Sequence, residues 1–167
     1  LEWEQMRLPE LYLLALTLLL VIGVLDDRFD LSPFLRAGIQ AGLAGAMIYS
    51  GLSIESLGQL IAPFSLEIGA LGIVLTIIIT IGVINAFNMI DGIDGLLAGL
   101  SSVSFAGLGA LMWIDEQYAI AYWCIAIILI LLPYAMFNLS VFGAKWKVFM
   151  GDSGSTLIGF TIIWILL

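Results

Sequence analysis

An all-α bundle of about six membrane-spanning helices is the fold this sequence predicts, and three observations carry the prediction. Of 167 residues, 62% are hydrophobic and only 11% charged, a balance too apolar for a soluble domain. The mean hydropathy is +1.17. The apolar residues fall in long runs whose boundaries hold nearly all the charge. A helix needs about 20 apolar residues to cross roughly 30 Å of hydrocarbon. Six runs approach that length: residues 11–25, 37–54, 68–84, 96–114, 119–141 and a last one from about residue 155 to the end. The first run is short unless it starts near Leu8, the sixth stops early, and the chain opens at Leu1 with neither Met nor a cleavable signal pattern. One integral membrane domain over residues 1–167, the central part of a longer protein, is the expected organisation.

Composition also removes whole classes of function. Five Lys and Arg against thirteen Asp and Glu give a formal charge of −8, with no basic cluster to neutralise a run of phosphates, so no nucleic-acid partner is expected. The one cysteine, Cys124, has no internal disulfide partner, and the absence of histidine excludes zinc fingers and His-based triads. Four of the five basic residues mark one side of the bilayer. Arg28, Arg36, Lys145 and Lys147 follow runs one and five, whereas Glu55, Glu67, Asp115 and Glu116 follow runs two and four without a basic residue. The positive-inside bias assigns the first set to the cytoplasm, with Arg7 alone opposing it. Trp113, Trp123 and Trp146 lie near run ends, where an amphipathic ring is favoured. Gly38 and Gly42, with Ala41, Gly45 and Ala46, predict a face that a second helix approaches closely. Pro133 predicts a kink in run five.

An Asp at the centre of a membrane helix costs about 2.5–3.5 kcal/mol, so carboxylates lodged between apolar runs need a reason. Three clusters qualify. Asp26, Asp27 and Asp30 close the first run, where a solvated helix end neutralised by Arg28 and Arg36 is the plainer explanation. Asn85, Asn88, Asp91 and Asp94 follow one another at steps of three, which on a helix gives a broad polar face until Gly92 and Gly95 loosen the backbone. A polar stripe joining helices is the alternative there. The third cluster is Gly151-Asp152-Ser153-Gly154-Ser155-Thr156. Its Gly-Asp-Ser-Gly string matches the nucleophile segment of trypsin-like proteases, but a chain without His cannot build that triad. A helix starting near Ser155 would instead offer unpaired N–H groups to a phosphate, with Asp152 free to hold a cation, or be capped by Ser153 or Ser155. Runs one, three and five all end on the cytoplasmic side. Six carboxylates therefore converge: Asp26, Asp27, Asp30, Asp91, Asp94 and Asp152. A hard divalent cation is their natural partner, and Mg²⁺ favours a few carboxylates plus phosphate oxygens. The pattern predicts a metal-dependent membrane enzyme that handles phosphates.

The Asp26-Asp27 pair, the string Asn-Ala-Phe-Asn-Met-Ile-Asp-Gly-Ile-Asp-Gly-Leu from Asn85, and Val-Phe-Met-Gly-Asp-Ser-Gly-Ser from Val148 together resemble the polyprenyl-phosphate N-acetylhexosamine-1-phosphate transferases. Within that superfamily the chain is more similar to the bacterial undecaprenyl-phosphate GlcNAc-1-phosphate branch than to the phospho-MurNAc-pentapeptide branch. The resemblance implies attack of undecaprenyl phosphate on the β-phosphorus of UDP-GlcNAc, with release of UMP, on the cytoplasmic face of the bacterial inner membrane. It implies Mg²⁺, or Mn²⁺ in its place, held by Asp152. It places Asp26 and Asp27 near the lipid phosphate, binding metal or removing a proton, and includes Asp91 and Asp94 among the catalytic carboxylates. Asn88, Asp91 and Asp94 match positions lining the nucleotide-sugar pocket. Asn85 and Asn138 are further contacts, and Phe149 would stack on the uracil.

The departures from the family pattern matter as well. Its members have about ten or eleven spans and a later cytoplasmic loop with a His-rich motif, whereas this chain has no His and about six spans. The resemblance therefore also admits an inactive truncated paralogue. From a different class, an ion-coupled transporter would place acids near the midplane rather than at span ends. The lipid bilayer is an expected partner in every reading. Oligomeric state stays open, a homodimer among the alternatives.

Overall fold

The computed structural model describes residues 2–56 and 68–167, with side chains from Leu8 onward. Glu67 and the Arg7 side chain lie outside the described residues. The regular elements described are helical: α1 (Glu2–Phe29), α2 (Pro33–Tyr49), α3 (Ala70–Met89), α4 (Leu96–Ile114), α5 (Tyr118–Asn138) and α6 (Gly151–Leu166), with a 3₁₀ turn at Ala144–Trp146. α1 from Leu8, α3, α4 and α5 are long and apolar enough to cross a membrane. α2, with 17 residues, and α6, with 16, fall short of that length. The polytopic bundle agrees with the expected fold, built from four full-length helices and two shorter ones.

Local chemistry sets the boundaries. Pro33 starts α2 at the position where its missing N–H costs nothing, and the Ser32 hydroxyl accepts from the Leu35 amide. The helix stops at Tyr49, five residues short of the expected 54. Gly51 takes φ +87, and the Leu52 amide returns to the Met47 carbonyl. α3 runs on to Met89 and so carries both Asn85 and Asn88, leaving Asp91 in the following turn. Asp30, at φ 51, terminates α1 in the left-handed conformation that Asp tolerates. Pro133 sits inside α5, which continues through it to Asn138.

α6 packs against α1, α3 and α4, while α4 pairs with α5 and α2 with α3. That central position explains why α6 can be short: Ser155, Thr156 and every residue from Ile158 to Ile163 are buried by neighbouring helices rather than facing lipid. Small residues allow the approach. A methyl group on Gly23 would collide with the backbone of Ser153, and one on Gly159 would stand 2.8 Å from Ile84 Cα. The glycines of α2 are used differently from the expectation, because added methyls at Gly38, Gly42 and Gly45 meet nothing within 4 Å. Their face is open among the described residues. Two apolar cores result. Ala15, Leu19, Leu43, Met47, Ile84 and Phe160 form one, and Leu97, Phe105, Leu108, Cys124 and Leu131 anchor the other.

The ends of α1, α3 and α5 meet the starts of α2, α4 and α6 at one end of the bundle. Arg28, Arg36, Lys145 and Lys147 all lie at that end, while Asp115 and Glu116 join α4 to α5 at the other. At that opposite end Trp113 packs edge-on against Tyr118 and Tyr122.

Candidate functional site

The site is built where the polar helix ends meet. Oδ1 of Asp152 accepts from the Asn88 amide at 2.6 Å, and Oδ2 lies 3.5 Å from Arg36 Nη1. The same guanidinium nitrogen donates to Asp26 at 2.7 Å. One cation therefore stands between two carboxylates from different helices. Asp26 is nearly enclosed, with its side chain 3% exposed, and its other oxygen accepts the Leu31 amide at 2.8 Å. Arg36 Nε is buried without a partner among the described residues. Asp152 precedes the apolar stretch that begins at Ser155. Partial burial pushes its carboxyl above the ordinary range, and the Asp26 and Asp27 charges push the same way against the Asn88 hydrogen bond.

The remaining carboxylates do different work. Asp27 accepts the Asp152 amide at 2.8 Å, the Ser153 amide at 3.4 Å and the Ser153 hydroxyl at 2.9 Å. Asp91 accepts the Gly151 amide at 2.8 Å, the Met150 amide at 3.3 Å and the Tyr134 hydroxyl at 2.9 Å. The N–H groups expected to be open for a phosphate at the start of α6 are thus taken by two protein carboxylates. A helix N-terminus favours negative charge there from either source. Neither serine caps the helix. Ser153 donates to Asp27, and Ser155 donates back to the Gly151 carbonyl at 2.9 Å. Asp30 is absorbed in ending α1, and Asp94 pairs with Lys147 at 2.6 Å on the exposed rim. Among the described residues, no three His, Cys, Asp or Glu side chains come close enough together to enclose a metal ion.

A model of glycosyl transferase family 4 matches residues 10–167, nearly all of the chain and all of this site. The chain belongs to glycosyl transferase family 4. It is 62% identical over 99% of its length to an undecaprenyl-phosphate α-N-acetylglucosaminyl 1-phosphate transferase of Haemophilus influenzae, covering 47% of that protein. It is 63% identical over its whole length to the Pasteurella multocida protein of the same name, again covering 47%. The Escherichia coli protein of that name is 52% identical over 94% of this chain, which covers 43% of it. The chain spans about half the length of the curated relatives it matches.

In this family 4 chain the expected amides occupy distinct places. Asn88 reaches Asp152 and also donates to Ser155 Oγ at 3.1 Å. Asn85 donates to Gln40 at 2.6 Å and to the Ile81 carbonyl, tying α3 to α2. Asn138 is buried, with both ends engaged. It accepts the Gly95 amide at 2.6 Å and donates to the Val148 carbonyl at 2.8 Å, which fastens the turn before α4 to the segment before α6. Phe149 is exposed, with Lys147 Nζ 5.2 Å from its ring centre. The structure thus brings Asp26, Asp27, Asn88, Asp91 and Asp152 together, and sets Asp94, Asn138 and Phe149 around them.

Two participants were not singled out from the sequence as site residues. Arg36 enters the sequence reading as a topology marker and as a counter-charge to the Asp26–Asp30 cluster, and the structure adds Asp152 to its partners. Tyr134 stands one helical turn before Asn138 in an apolar helix, and that spacing was the available signal.

Proposed function

We propose that the protein carrying this chain transfers GlcNAc-1-phosphate from UDP-GlcNAc to undecaprenyl phosphate and releases UMP. The reaction takes place at the cytoplasmic face of the bacterial inner membrane, as the first lipid-linked step of O-antigen or enterobacterial common antigen synthesis. The supporting observation is the convergence of Asp152, Asp26, Asn88 and Arg36, from four helices, at one end of the bundle, in a chain so similar to transferases of that name. The basic residues gathered at the same end support the cytoplasmic assignment. Carboxylates at helix ends rather than midway along the helices suit a reaction between a lipid and a soluble substrate better than ion transport.

An oxygen of the lipid phosphate attacks the β-phosphorus. The bond from that phosphorus to the bridging oxygen breaks, and its electron pair leaves with UMP. A phosphate monoester has its second pKa near about 6, so the nucleophile is already largely dianionic at neutral pH. Positioning and charge neutralisation then carry most of the catalysis, and direct displacement suffices without an aspartyl intermediate. Bound Mg²⁺, or Mn²⁺, supplies charge neutralisation of the diphosphate. Asp152 suits such an ion, because its Oδ2 is only loosely paired, 3.5 Å from Arg36, while Asp26 would exchange its 2.7 Å pair with Arg36 to join it; Mg²⁺ uses one or two carboxylates with phosphate oxygens and water. Asp152 is the main ligand in this reading and Asp26 the second. Asp27, whose oxygens hold the first amides of α6, orients that helix beside the lipid phosphate. Arg36 neutralises phosphate charge, Asn88 fixes Asp152, and Asp94, Lys147 and Phe149 meet the nucleotide at the rim.

The test is UMP release in detergent with undecaprenyl phosphate and Mg²⁺, comparing UDP-GlcNAc with UDP-MurNAc-pentapeptide and including EDTA. Metal-dependent release with UDP-GlcNAc alone is expected. Release with the pentapeptide substrate alone, or none from folded protein, would refute the assignment.

A further inference from the structure

Asp91 is heavily engaged within the protein, three of a carboxylate's roughly four acceptor sites being filled by its own chain. It is 8% exposed, and three donors surround it: the amides of Met150 and Gly151 and the hydroxyl of Tyr134. A buried carboxylate without donors is costly, so this set fixes where Asp91 sits and what it holds. What it holds is the turn into α6. Gly151 there has φ +74, a left-handed conformation, and Asp152 is the next residue. A methyl group on Gly151 would stand 3.0 Å from an Asp27 oxygen, so Asp27 closes the turn from the other side. Of the three donors to Asp91, two come from the turn itself. Tyr134, on α5, is the one that ties the carboxylate to a separate helix.

We propose that Tyr134 is a positioning residue for Asp152. Its hydroxyl orients Asp91, Asp91 holds the Gly151 amide, and the Gly151 peptide sets the direction in which Asp152 presents its carboxylate to Asn88 and Arg36. The kinetic consequence rests on the transferase reading above, and the geometric one does not. Removing only the hydroxyl keeps the ring in place and leaves Asp91 two donors, so the turn loosens while the bundle stands. Misplacement of a reacting group by about 1 Å costs on the order of 100-fold in rate.

The experiment is Tyr134→Phe in detergent-purified protein carrying this segment, read by residue-resolved amide exchange and by UMP-release kinetics. Exchange at the Gly151 amide should rise about tenfold, the effect of one hydrogen bond, with α4 and the middle of α5 unchanged. The kcat should fall about 10- to 100-fold, with both substrate KM values near those of the unaltered protein. Adding Tyr134→Phe to Asp91→Asn should raise Gly151 exchange no further. Unchanged Gly151 exchange would overturn the proposal, and so would faster exchange with an unchanged kcat. A general rise in exchange across α5 and α6 would assign Tyr134 to packing and overturn it as well. If the unaltered protein releases no UMP, the transferase reading fails while Gly151 exchange still decides the role of Tyr134.

Discussion

Asn88 on α3 donates to Asp152 on α6 at 2.6 Å, joining two helix ends that lie 64 residues apart in the chain. A neutral amide orients a carboxylate without cancelling its charge. The other oxygen of Asp152 faces Arg36, at 3.5 Å. Asp152 is therefore aimed by Asn88 and only loosely paired with Arg36, unlike Asp26, which holds the same guanidinium at 2.7 Å in near-complete burial.

Replacing Asp152 with Asn keeps the shape of the side chain and removes the charge. Asp152→Asn should lower Mg²⁺-dependent turnover by about 100-fold or more, since even residues behind a metal ligand are worth about 10- to 100-fold. The thermal midpoint in detergent should stay close to that of the unaltered protein. A retained rate in the UMP assay would overturn the proposed role of Asp152 in holding the metal.

Asn138 gives the opposite expectation. Its amide is committed to Gly95 and Val148 inside the protein. Asn138→Ala strands a backbone donor and a backbone acceptor, each costing about 1–3 kcal/mol when buried. Thermal stability should therefore drop clearly, and in whatever activity remains the KM for UDP-GlcNAc should be little changed. A raised KM at unchanged stability would restore a direct substrate contact.

The two basic side chains of the site should separate by burial. Arg36→Gln leaves Asp26 enclosed and unpaired, a loss of about 3 kcal/mol on the scale of broken buried pairs. Lys147→Gln breaks a pair whose Asp94 side chain is half exposed, worth under about 1 kcal/mol. Denaturation midpoints measured side by side check this order, and equal losses would contradict it.

Much of the architecture could be read from the sequence because apolar runs bounded by charge have one solution in a bilayer. α4 matches the expected residues 96–114. An error of extent came where backbone chemistry overrides hydropathy, since Gly51 ends α2 early, whereas α3 carries on through two asparagines, as their expected polar face requires, because their amides find Gln40, Asp152 and Ser155. The site was legible as a set of carboxylates at common helix ends, but their division of labour was not. Spacing cannot show that Asp27 and Asp91 hold the first amides of α6, since that depends on Gly23 letting α6 abut α1. Likewise, the Gly38, Gly42 and Gly45 stripe gave no indication of which glycines make the close contacts.

That dependence on Gly23 is itself testable. Gly23→Ala places a methyl group against the Ser153 backbone, and overpacking of this kind costs about 1–3 kcal/mol. Gly42→Ala meets nothing among the described residues and should be nearly neutral. Melting curves of the two variants in the same detergent decide the matter, and equal behaviour would refute the close α1–α6 contact.

The most direct measurement follows the β-phosphorus itself. With UDP-GlcNAc radiolabelled at that atom, undecaprenyl phosphate and Mg²⁺, sugar-1-phosphate transfer puts the label in the lipid product and leaves unlabelled UMP. Label recovered in UDP would mean that the sugar moves without its phosphate, and would contradict the account.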